Sequence, residues 1–468
     1  MKVLKSVAPT DEQLKIISSI EPKVEVIRGA AGSGKTTTAI LRLRGLVGNF
    51  VNQRRRLESQ KPVRALVLTF NRTLRGYIEQ LVTEQIHDGA SVQIEVETFG
   101  RWANHIFNRR GLLDDEVRYR AIKGFGEKIP LESKLLFSEV DYILGLYLPE
   151  HWTNYLTSPR TGRGQTPRID RPLRERILNE IIRPYSDWKR TQAAWDWSDM
   201  EITLATEQRC DPYDIIIADE TQDFSANQIR AILNHRAQIS AVTFVVDSAQ
   251  RIYTRGFTWK DVGVEVGPLN SHRLSRNYRN TSQIAALAAP LIRDIADADT
   301  DATIPDLKTC TKNGVIPQIF LGKFNAQLVH AIQYVKQHIN LEEESVAFLQ
   351  HLGGAWFDAT RSALHNAGLS FVEITKINDW PMGSENIALS TIHSAKGLEF
   401  DHIFLLGLNT ETLPHGKERN DDEFLKLRRL LAMGICRARE TVTLGTKPED
   451  RSDVLDLLDP NTYEEIRL

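Results

Sequence analysis

The stretch "KVEVIRGAAGSGKTTTAILRLRGLV", Lys23 to Val47, decides the fold. It begins as a β-branched strand, turns through glycines and continues in a helical apolar rhythm from Lys35. Its centre, Gly29 to Thr36, fits the pattern G-x-x-x-x-G-K-[ST], which belongs between a strand and a helix. The sequence therefore predicts a phosphate-binding loop (P-loop) on a parallel α/β sheet, and a fortuitous glycine turn is the alternative.

The predicted loop binds a nucleotide through its backbone. Glycines let the N–H groups turn toward the phosphates, and the helix N-terminus adds the positive end of its dipole. Lys35 would reach the β- and γ-phosphates, and Thr36 would hold Mg²⁺. The predicted nucleotide-binding residues of this loop are Gly29, Ala30, Ala31, Gly32, Ser33, Gly34, Lys35 and Thr36.

Length and composition are those of an ordinary soluble protein with two or more domains. The 468 residues are 41% apolar and 26% charged. The chain has neither a signal-peptide core nor an apolar run of about 18 residues, which favours a cytoplasmic protein without membrane contact. Cys210, Cys310 and Cys436 lack C-x-x-C spacing, which disfavours a zinc or iron–sulfur site and a disulfide framework.

The charge is balanced, so binding to nucleic acid would need a local basic surface. The net charge is -2, which gives no global attraction to a polyanion. The basic segment from Arg160 to Arg176 fits a phosphate-binding arm and a solvated loop and helix face equally well. A second basic run, Arg54 to Arg64, favours a solvated connection.

Strand patterns occur in two blocks. The strands "RALVLTF", "YDIIIADE" and "AVTFVVD" follow the loop, but a mostly helical stretch from about Trp102 to Thr203 interrupts them. A second series of strands alternating with helices begins after about Ser271. Two such blocks predict two parallel-sheet α/β domains.

Two acids at a strand end indicate the reaction. Asp219 and Glu220 close the strand of "DIIIADETQD". Asp219 can hold Mg²⁺ through water, while Glu220 can orient and deprotonate the attacking water. Paired carboxylates also suit a nuclease, but their place after a P-loop favours ATP hydrolysis. Arg279 and Arg437 are candidates for the positive charge that phosphoryl transfer requires.

Ordered motifs along the chain resemble those of UvrD/Rep-type superfamily 1 helicases, and "DETQD" with "HSAKGLEF" is highly specific. The resemblance extends from about Thr10 to Glu440. It implies two RecA-like P-loop NTPase domains with Mg-ATP in the cleft between them and 3′ to 5′ movement on single-stranded DNA, with RNA as the alternative polymer. The motifs are "TDEQLKII", "GAAGSGKT", "LVLTFNRTL", "VETFG", "IIADETQDF", "VVDSAQRIY", "RNYRNT", "STIHSAKGLEFDHIFLLG" and "RRLLAMGICRA".

The resemblance also implies a domain division. Domain 1A would comprise residues 1–101 and 204–272, a mostly helical insertion 1B residues 102–203, and domain 2A residues 273–468. The second insertion of typical relatives, 2B, has no room between "NYR" and "HSAKGLEF", so we predict its absence. The residues after the last motif are too few for a nuclease domain, so we expect no strand cleavage from the sequence given. The chain would be either an unregulated motor or one subunit of a repair or phage-defence complex, with a protein partner such as a nuclease subunit.

On the nucleotide side, the resemblance implies contacts to the base and the ribose. Gln13 would read the adenine, Tyr278 would stack on it, and Glu399 would touch the ribose. Gly397 belongs to the same motif as Glu399 and is included in the implied site. Thr37 is included as well, although it replaces an arginine that many relatives have.

The resemblance assigns catalytic roles to three further residues. Gln250 would sense the γ-phosphate and report it to the aromatic segment that follows. Arg279 and Arg437 would act as two arginine fingers. Together with Lys35 and Glu220, these residues form the predicted catalytic set.

The implied nucleic-acid track consists of side chains at strand ends and aromatic platforms. Phe70 and Phe99 follow strands and equally fit a role in the core, whereas packing explains His393 poorly. "QRIYTRGFTWKD" is two residues longer than usual, so the platform is either Phe257 or Trp259. The full predicted track is Phe70, Thr98, Phe99, Tyr253, Phe257, Trp259 and His393.

A nucleotide-gated switch is the main alternative to a motor. Such a protein would bind nucleic acid or a partner when loaded with ATP but would not travel, and the same pocket would serve both. Aromatic platforms, His393 and the Phe70 region together favour translocation. A strand-cleaving enzyme is disfavoured because the chain lacks a second carboxylate cluster with metal-site spacing.

Overall fold

Two parallel β-sheets organise the chain. A computed structural model describes residues 9–29, 32–69, 72–85, 91–108, 112–158, 169–246, 257–298, 310–351, 353–375, 380–381, 383–413 and 422–468. The strands are β1 (Val24–Gly29), β2 (Val63–Thr69), β3 (Val92–Thr98), β4 (Tyr213–Ala218), β5 (Arg236–Val246), β6 (Ser271–Leu274), β7 (Asn277–Thr281), β8 (Cys310–Lys312), β9 (Gln318–Leu321), β10 (Val346–Gln350), β11 (Val372–Glu373), β12 (Ile387–Thr391), β13 (Phe400–Leu405), β14 (Ala438–Thr446) and β15 (Glu464–Arg467).

Helices connect most of these strands. They are α1 (Asp11–Ile17), α2 (Lys35–Arg56), α3 (Arg72–Gln85), α4 (Phe99–Phe107), α5 (Asp115–Phe125), α6 (Ser133–Leu146), α7 (Arg171–Arg176), α8 (Arg183–Thr191), α9 (Trp197–Thr206), α10 (Ala226–Asn234), α11 (Ser282–Ala298), α12 (Phe324–His338), α13 (Ala355–Asn366) and α14 (Asp422–Ile435). Within the described ranges, no helix is both long and apolar enough to span a bilayer.

The first sheet has six strands in the order β3-β2-β4-β5-β1-β6, and every pairing is parallel. Strand β1 lies between β5 and β6, so the P-loop leaves an interior strand. Successive residues of β1 enter opposite cores: Val26 packs with α4, α9 and α10, and Ile27 packs with α2 and α3. Burial on both faces explains the continuous apolar strands read from the sequence.

The second sheet has seven strands in the order β11-β12-β10-β13-β14-β9-β15, again all parallel. Helices α12 and α13 cover one face, and α11 and α14 cover the other. Strands β7 and β8 pair separately. The predicted α/β class, with two parallel-sheet domains flanked by helices, is confirmed.

Helices α4 to α9 fill the interval between β3 and β4, and its described residues contain no strand. Helices α4 and α9 pack on the first sheet, whereas α5 to α8 surround a separate apolar core. A π-helical segment, Ile177–Ile182, joins α7 to α8. Pro184 follows this segment and has no N–H to donate, so the widened turn lets one helical rod continue past it.

A buried ion cluster holds these helices together. The Asp196 carboxylate is fully buried and accepts hydrogen bonds from Tyr185 Oη at 2.7 Å, Lys189 Nζ at 3.0 Å and Arg118 Nε at 3.3 Å. It also caps α9 by accepting from the Asp199 N–H. Burial raises the pKa of Asp196, but the charges of Lys189 and Arg118 outweigh burial, and the net pKa is lowered.

We expect Asp196→Ala to destabilise the helical layer by about 3 to 5 kcal/mol, because it leaves buried cations without their shared carboxylate. Urea unfolding followed by tryptophan fluorescence measures this change. Asp187→Ala, which removes an exposed ion pair with Arg190, is the control and should cost less than about 1 kcal/mol. Equal losses from both substitutions would contradict a structural role for the cluster.

Candidate functional site

The P-loop adopts the backbone that its glycines permit. Gly32 and Gly34 have φ values of 81° and 74°, a left-handed region that favours glycine. A Cβ at position 32 would lie 2.2 Å from Asn277 Oδ1. The N-cap residue of α2, Gly34, makes no side-chain hydrogen bond to the first turn, as suits a helix start that binds an anion. Ala30 and Ala31 lie outside the described residues.

Two predicted metal ligands lie in contact. Thr36 Oγ1 donates to Asp219 Oδ2 at 2.7 Å, which joins the first turn of α2 to the end of β4. Lys35 Nζ donates to the Gly29 carbonyl at 2.8 Å, so its ammonium lies across the loop where phosphates would enter. These contacts gather the polar groups of the predicted nucleotide site at the carboxyl end of the first sheet.

Asp219 and Thr36 fit a Mg²⁺ ion. Burial and the neighbouring charge of Glu220 together raise the pKa of Asp219 to about 6. A buried carboxylate beside another anion gains from a nearby divalent cation. The hydroxyl and carboxylate oxygens are ligands of the type that Mg²⁺ prefers, in the small number that it usually takes from a protein with its phosphates. Elsewhere, the described residues contain no group of three or more His, Cys, Asp or Glu with metal-site geometry.

Glu220 is held between the two sheets. It adopts a left-handed backbone with φ 54° and is 8% exposed. Lys396 Nζ lies 3.2 Å from Glu220 Oε2 and also contacts Asp223. Burial raises the pKa of Glu220, but the charges of Lys396, Arg437 and Lys35 lower it overall. Glu220 is therefore ionised at neutral pH.

Sequence reasoning missed Lys396. The motif "HSAKGLEF" was recognised, yet its lysine was given no role. The available signal was a lysine among apolar and small residues immediately after a buried strand. In the structure Lys396 is 1% exposed, and its contacts connect the second sheet to "DETQD" of the first.

The two predicted arginine fingers reach the site differently. Arg437 is 2% exposed and contributes to lowering the pKa of Glu220, so its guanidinium lies near that carboxylate. Its Nη1 donates to the Leu398 carbonyl at 3.4 Å. Arg279 instead pairs with Glu399, the residue that the resemblance placed at the ribose.

The predicted base-side residues contact the P-loop. Gln13 Nε2 donates to the Ser33 carbonyl at 3.1 Å, and the Tyr278 N–H donates to the Gly32 carbonyl at 3.0 Å. Gly397 has φ 82° in the turn after Lys396, and the Thr37 side chain is exposed on α2. Gln13 and Tyr278 therefore border the loop directly.

Phe99 is in the core. It is 4% exposed, and its ring packs edge-on against Trp102 at 5.4 Å and Phe224 at 6.3 Å. This packing favours the role in the core that the sequence left open for Phe99, because a buried ring offers little face to a base. Thr98 caps α4 by accepting from the Arg101 N–H at 3.3 Å.

The aromatic segment is described only in part. Phe70, Gln250 and Tyr253 lie outside the described residues. Trp259 packs against Phe244 with ring centroids 5.1 Å apart, and Phe257 meets Trp259 edge-on at 6.0 Å. Both rings are half-buried, so each keeps some surface for a ligand.

His393 has a neighbour that sequence reasoning missed. The rings of His393 and His351 lie 6.1 Å apart, just beyond the ends of the paired strands β12 and β10. Burial lowers the pKa of His393 to about 4, and the charge of His351 contributes. His351 occupies the equivalent place after "SVAFLQ", and that correspondence was the available signal.

The comparisons with known proteins agree with this geometry. Residues 9–257, more than half of the chain, match the UvrD/REP helicase N-terminal domain, and residues 327–447 match the UvrD-like helicase C-terminal domain. The fold and site thus define a P-loop enzyme built on two parallel sheets. The chain belongs to the UvrD/Rep-type helicase family of superfamily 1.

Individual relatives are similar over different lengths. A probable DNA helicase of Mycoplasma pneumoniae is 21% identical over 93% of this chain and 82% of the relative. The ATP-dependent DNA helicase Rep of Buchnera aphidicola is 42% identical over 14% of this chain and 10% of its own length. The ATP-dependent DNA helicase UvrD2 of Mycobacterium bovis is 26% identical over 44% of this chain and 27% of its own length.

The histidine pair predicts a pH-dependent stability. Because His393 titrates near 4 in the folded chain and near 6.5 when unfolded, the unfolded state binds the proton first. The stability of the wild type should fall relative to His393→Gln by about 1.4 kcal/mol or less per pH unit from about 6.5 down to 4. Urea unfolding across that range measures the difference.

His351→Gln is the companion variant. Removing the neighbouring charge should raise the pKa of His393, as followed by its imidazole proton resonances. An unchanged resonance midpoint, or parallel stability curves for wild type and His393→Gln, would contradict the assigned environment.

Proposed function

We propose that the chain is an ATP-dependent translocase and helicase that moves 3′ to 5′ on single-stranded DNA. One observation supports this most: Thr36, Asp219, Glu220 and Arg437 converge where the ends of the two sheets meet. A hydrolytic site at such a junction can couple nucleotide state to the relative position of two domains. The names of the relatives, all DNA helicases, favour DNA over RNA.

The proposed hydrolysis uses this chain's residues in defined roles. Lys35 would bind the β- and γ-phosphates, and Glu220, which is ionised, would orient and deprotonate the attacking water. Arg437 and Arg279 would stabilise the charge of the transition state, and Gln250 would sense the γ-phosphate. Mg²⁺, held by Thr36 and Asp219, would neutralise charge on the phosphates when bound.

Three contacts must change before a nucleotide occupies the site fully. Lys35 must leave the Gly29 carbonyl, Arg279 must leave Glu399, and Lys396 must release Glu220 at least in part. Each contact is polar and replaceable by a phosphate oxygen or by water. We therefore propose that these contacts exchange for phosphate oxygens or water when ATP binds.

We propose the domain division 1–101 with 204–272 (1A), 102–203 (1B) and 273–468 (2A). The separate core of α5 to α8 supports a distinct insertion. The described elements between β7 and β12 are α11, β8, β9, α12, β10, α13 and β11. Most of these belong to the second sheet or cover its faces, which supports the absence of 2B.

The nucleic-acid track would cross the carboxyl ends of both sheets. Thr98 lies at the end of β3, His393 just after β12, and Trp259 with Phe257 beside the first sheet. Stacking on an aromatic ring contributes about 1 to 3 kcal/mol per base with little sequence preference. Because His393 is neutral at pH 7, it would contribute hydrogen bonding rather than charge.

A protein partner is a further part of the proposal. Without 2B, duplex separation would depend on another subunit, such as a nuclease of a repair or phage-defence complex. The second candidate function is an ATP-gated switch that binds nucleic acid or a partner without travelling. The half-buried state of Trp259 and Phe257 favours this candidate, because it limits their stacking surface.

Single-stranded DNA should stimulate ATP hydrolysis by the wild type at least 10-fold. Glu220→Gln should bind ATP but hydrolyse it at least 100-fold more slowly, because it lacks the base. Glu201→Gln is the matched control: Glu201 is also buried and accepts from Ser225 and Gln228 away from the P-loop. If neither DNA nor RNA stimulates ATP hydrolysis, translocation is excluded and the ATP-gated switch is the remaining candidate function.

Polarity is tested with tailed duplexes and with a labelled strand end. Arrival at the 5′ end of a single strand is the expected result for the purified chain. Unwinding, when a partner supports it, should be confined to a 3′-tailed duplex. Equal action on both tails would contradict the proposed direction. Unwinding by the purified chain alone would remove the need for a partner.

The platform residue is identified by Trp259→Ala and Phe257→Ala. The platform variant should lose strand-stimulated hydrolysis at least 5-fold and keep its affinity for ATP, since stacking acts on the strand. Trp259→Ala should also lower thermal stability because Trp259 packs on Phe244. If neither variant changes stimulation, this segment lies outside the track.

A further inference from the structure

We propose that Asn277 and Asn280 form a positioning pair that fixes Arg279 and Arg437 relative to the P-loop. The inference rests on the proposed ATP hydrolysis, in which both arginines act. Asn277 and Asn280 lie in "RNYRNT" and are 1% and 0% exposed. The hydrogen bonds of both side chains go to each other and to the backbone beside the two arginines, which indicates a positioning role.

Asn277 holds the backbone that carries Arg279. Its Oδ1 accepts from the N–H of Arg279 at 3.1 Å and from the N–H of Asn280 at 3.1 Å. An amide oxygen has two lone pairs, and both are used here. The Asn277 side chain thus fixes the backbone of a tight turn that includes Arg279.

Asn280 holds the backbone that carries Arg437. Its Nδ2 donates to the Cys436 carbonyl at 3.1 Å and to the Ala438 carbonyl at 2.5 Å. These carbonyls flank Arg437, whose own carbonyl accepts from the Phe400 N–H at 3.0 Å. Three consecutive carbonyls are therefore hydrogen-bonded. The backbone at Arg437, and with it the start of the side chain, has little freedom to change conformation.

The two amides determine each other's orientation. Because Asn277 Oδ1 must face two N–H donors, its Nδ2 faces Asn280 and donates to Oδ1 at 3.0 Å. With its oxygen used, Asn280 must direct its NH₂ toward the two carbonyls. Flipping either amide would place donor against donor or acceptor against acceptor. The pair is therefore a single unit with one arrangement.

The P-loop touches the same unit. The Tyr278 N–H donates to the Gly32 carbonyl, and a Cβ at Gly32 would lie 2.2 Å from Asn277 Oδ1 and 2.7 Å from Arg279 Cβ. Movement of the loop around a γ-phosphate must therefore move Asn277 or be limited by it. This contact connects the loop to both arginines through two amide side chains.

Asn227 provides a matched control for a purely structural role. It is also 0% exposed, and its Nδ2 donates to two carbonyls, Leu144 at 2.8 Å and Tyr147 at 3.2 Å. These bonds join α10 to the helical layer, away from both arginines. Asn227→Ala and Asn280→Ala each remove two hydrogen bonds to backbone carbonyls and one that the side-chain oxygen accepts, so their thermal destabilisation should be similar.

The first test compares these variants by ligand affinity and by basal ATP hydrolysis without nucleic acid. Asn280→Ala should lower kcat at least 10-fold with KM within 3-fold. It should weaken binding of ADP–aluminium fluoride with Mg²⁺ by a similar factor and leave ADP binding unchanged. Asn227→Ala should change none of these. Equal losses of kcat in both variants would show a stability effect and overturn the proposal.

The second test is a double-mutant cycle. If Asn280 acts mainly through Arg437, Asn280→Ala should weaken ADP–aluminium fluoride binding much less in the Arg437→Ala background than in the wild type. Multiplicative losses would overturn the assignment. Asn280→Ser, which keeps one donor, should give an intermediate affinity and provides a milder variant if Asn280→Ala does not fold.

The two proposals fail separately. Both tests use no nucleic acid. If single strands do not stimulate ATP hydrolysis by the wild type, the translocase proposal is wrong, but the positioning pair can still be tested. A stimulated wild type with a fully active Asn280→Ala would sink the positioning pair alone.

Discussion

The structure depends on one buried ion cluster, in which the Lys396 ammonium lies between the carboxylates of Glu220 and Asp223. Burying these charges costs several kcal/mol for each ion unless they pair. Burial lowers the pKa of Lys396 even though the charges of Glu220 and Asp219 oppose the shift. Separating the two sheets would leave Lys396 and its carboxylate partners unpaired, unless water or a phosphate group replaced the lost partner. The cluster therefore holds the ends of the two sheets together.

Among its described residues, the site places cations close to anions. Four cations lie with four anions at the junction of the sheets: Lys35, Arg279, Lys396 and Arg437 with Asp219, Glu220, Asp223 and Glu399. A polyphosphate entering such a site cannot simply add to it; it must take cations from existing partners. In the proposed cycle this exchange is what makes the relative position of the sheets respond to the nucleotide.

Local patterns predicted the parts of the fold and site that depend on neighbouring residues. The strand, loop and helix from Lys23 to Val47 could be predicted because glycine positions and apolar spacing determine local structure over a few residues. Asp219 was readable because acids at strand ends meet the P-loop in parallel sheets. Two-block strand patterns predicted two sheets, but not the strand orders, which depend on packing between distant segments.

What the sequence could not predict depends on tertiary contacts. Phe99 follows a strand in the same way as a track residue, and only the positions of Trp102 and Phe224 place it in the core. Lys396 and His351 matter because of partners far away in the chain. The two asparagines of "RNYRNT" read as ordinary polar residues until the carbonyls on either side of Arg437 are seen beside them.

The order of strands in the first sheet affects how the chain folds during synthesis. Strand β1 pairs with β5 and β6, and both are made after the whole helical layer. A ribosome releasing the chain from its N-terminus presents β1 with no neighbour until residue 246 or later has emerged. The P-loop is thus synthesised well before the strands that flank β1. A nascent chain that ends before β5 therefore cannot complete the proposed nucleotide site.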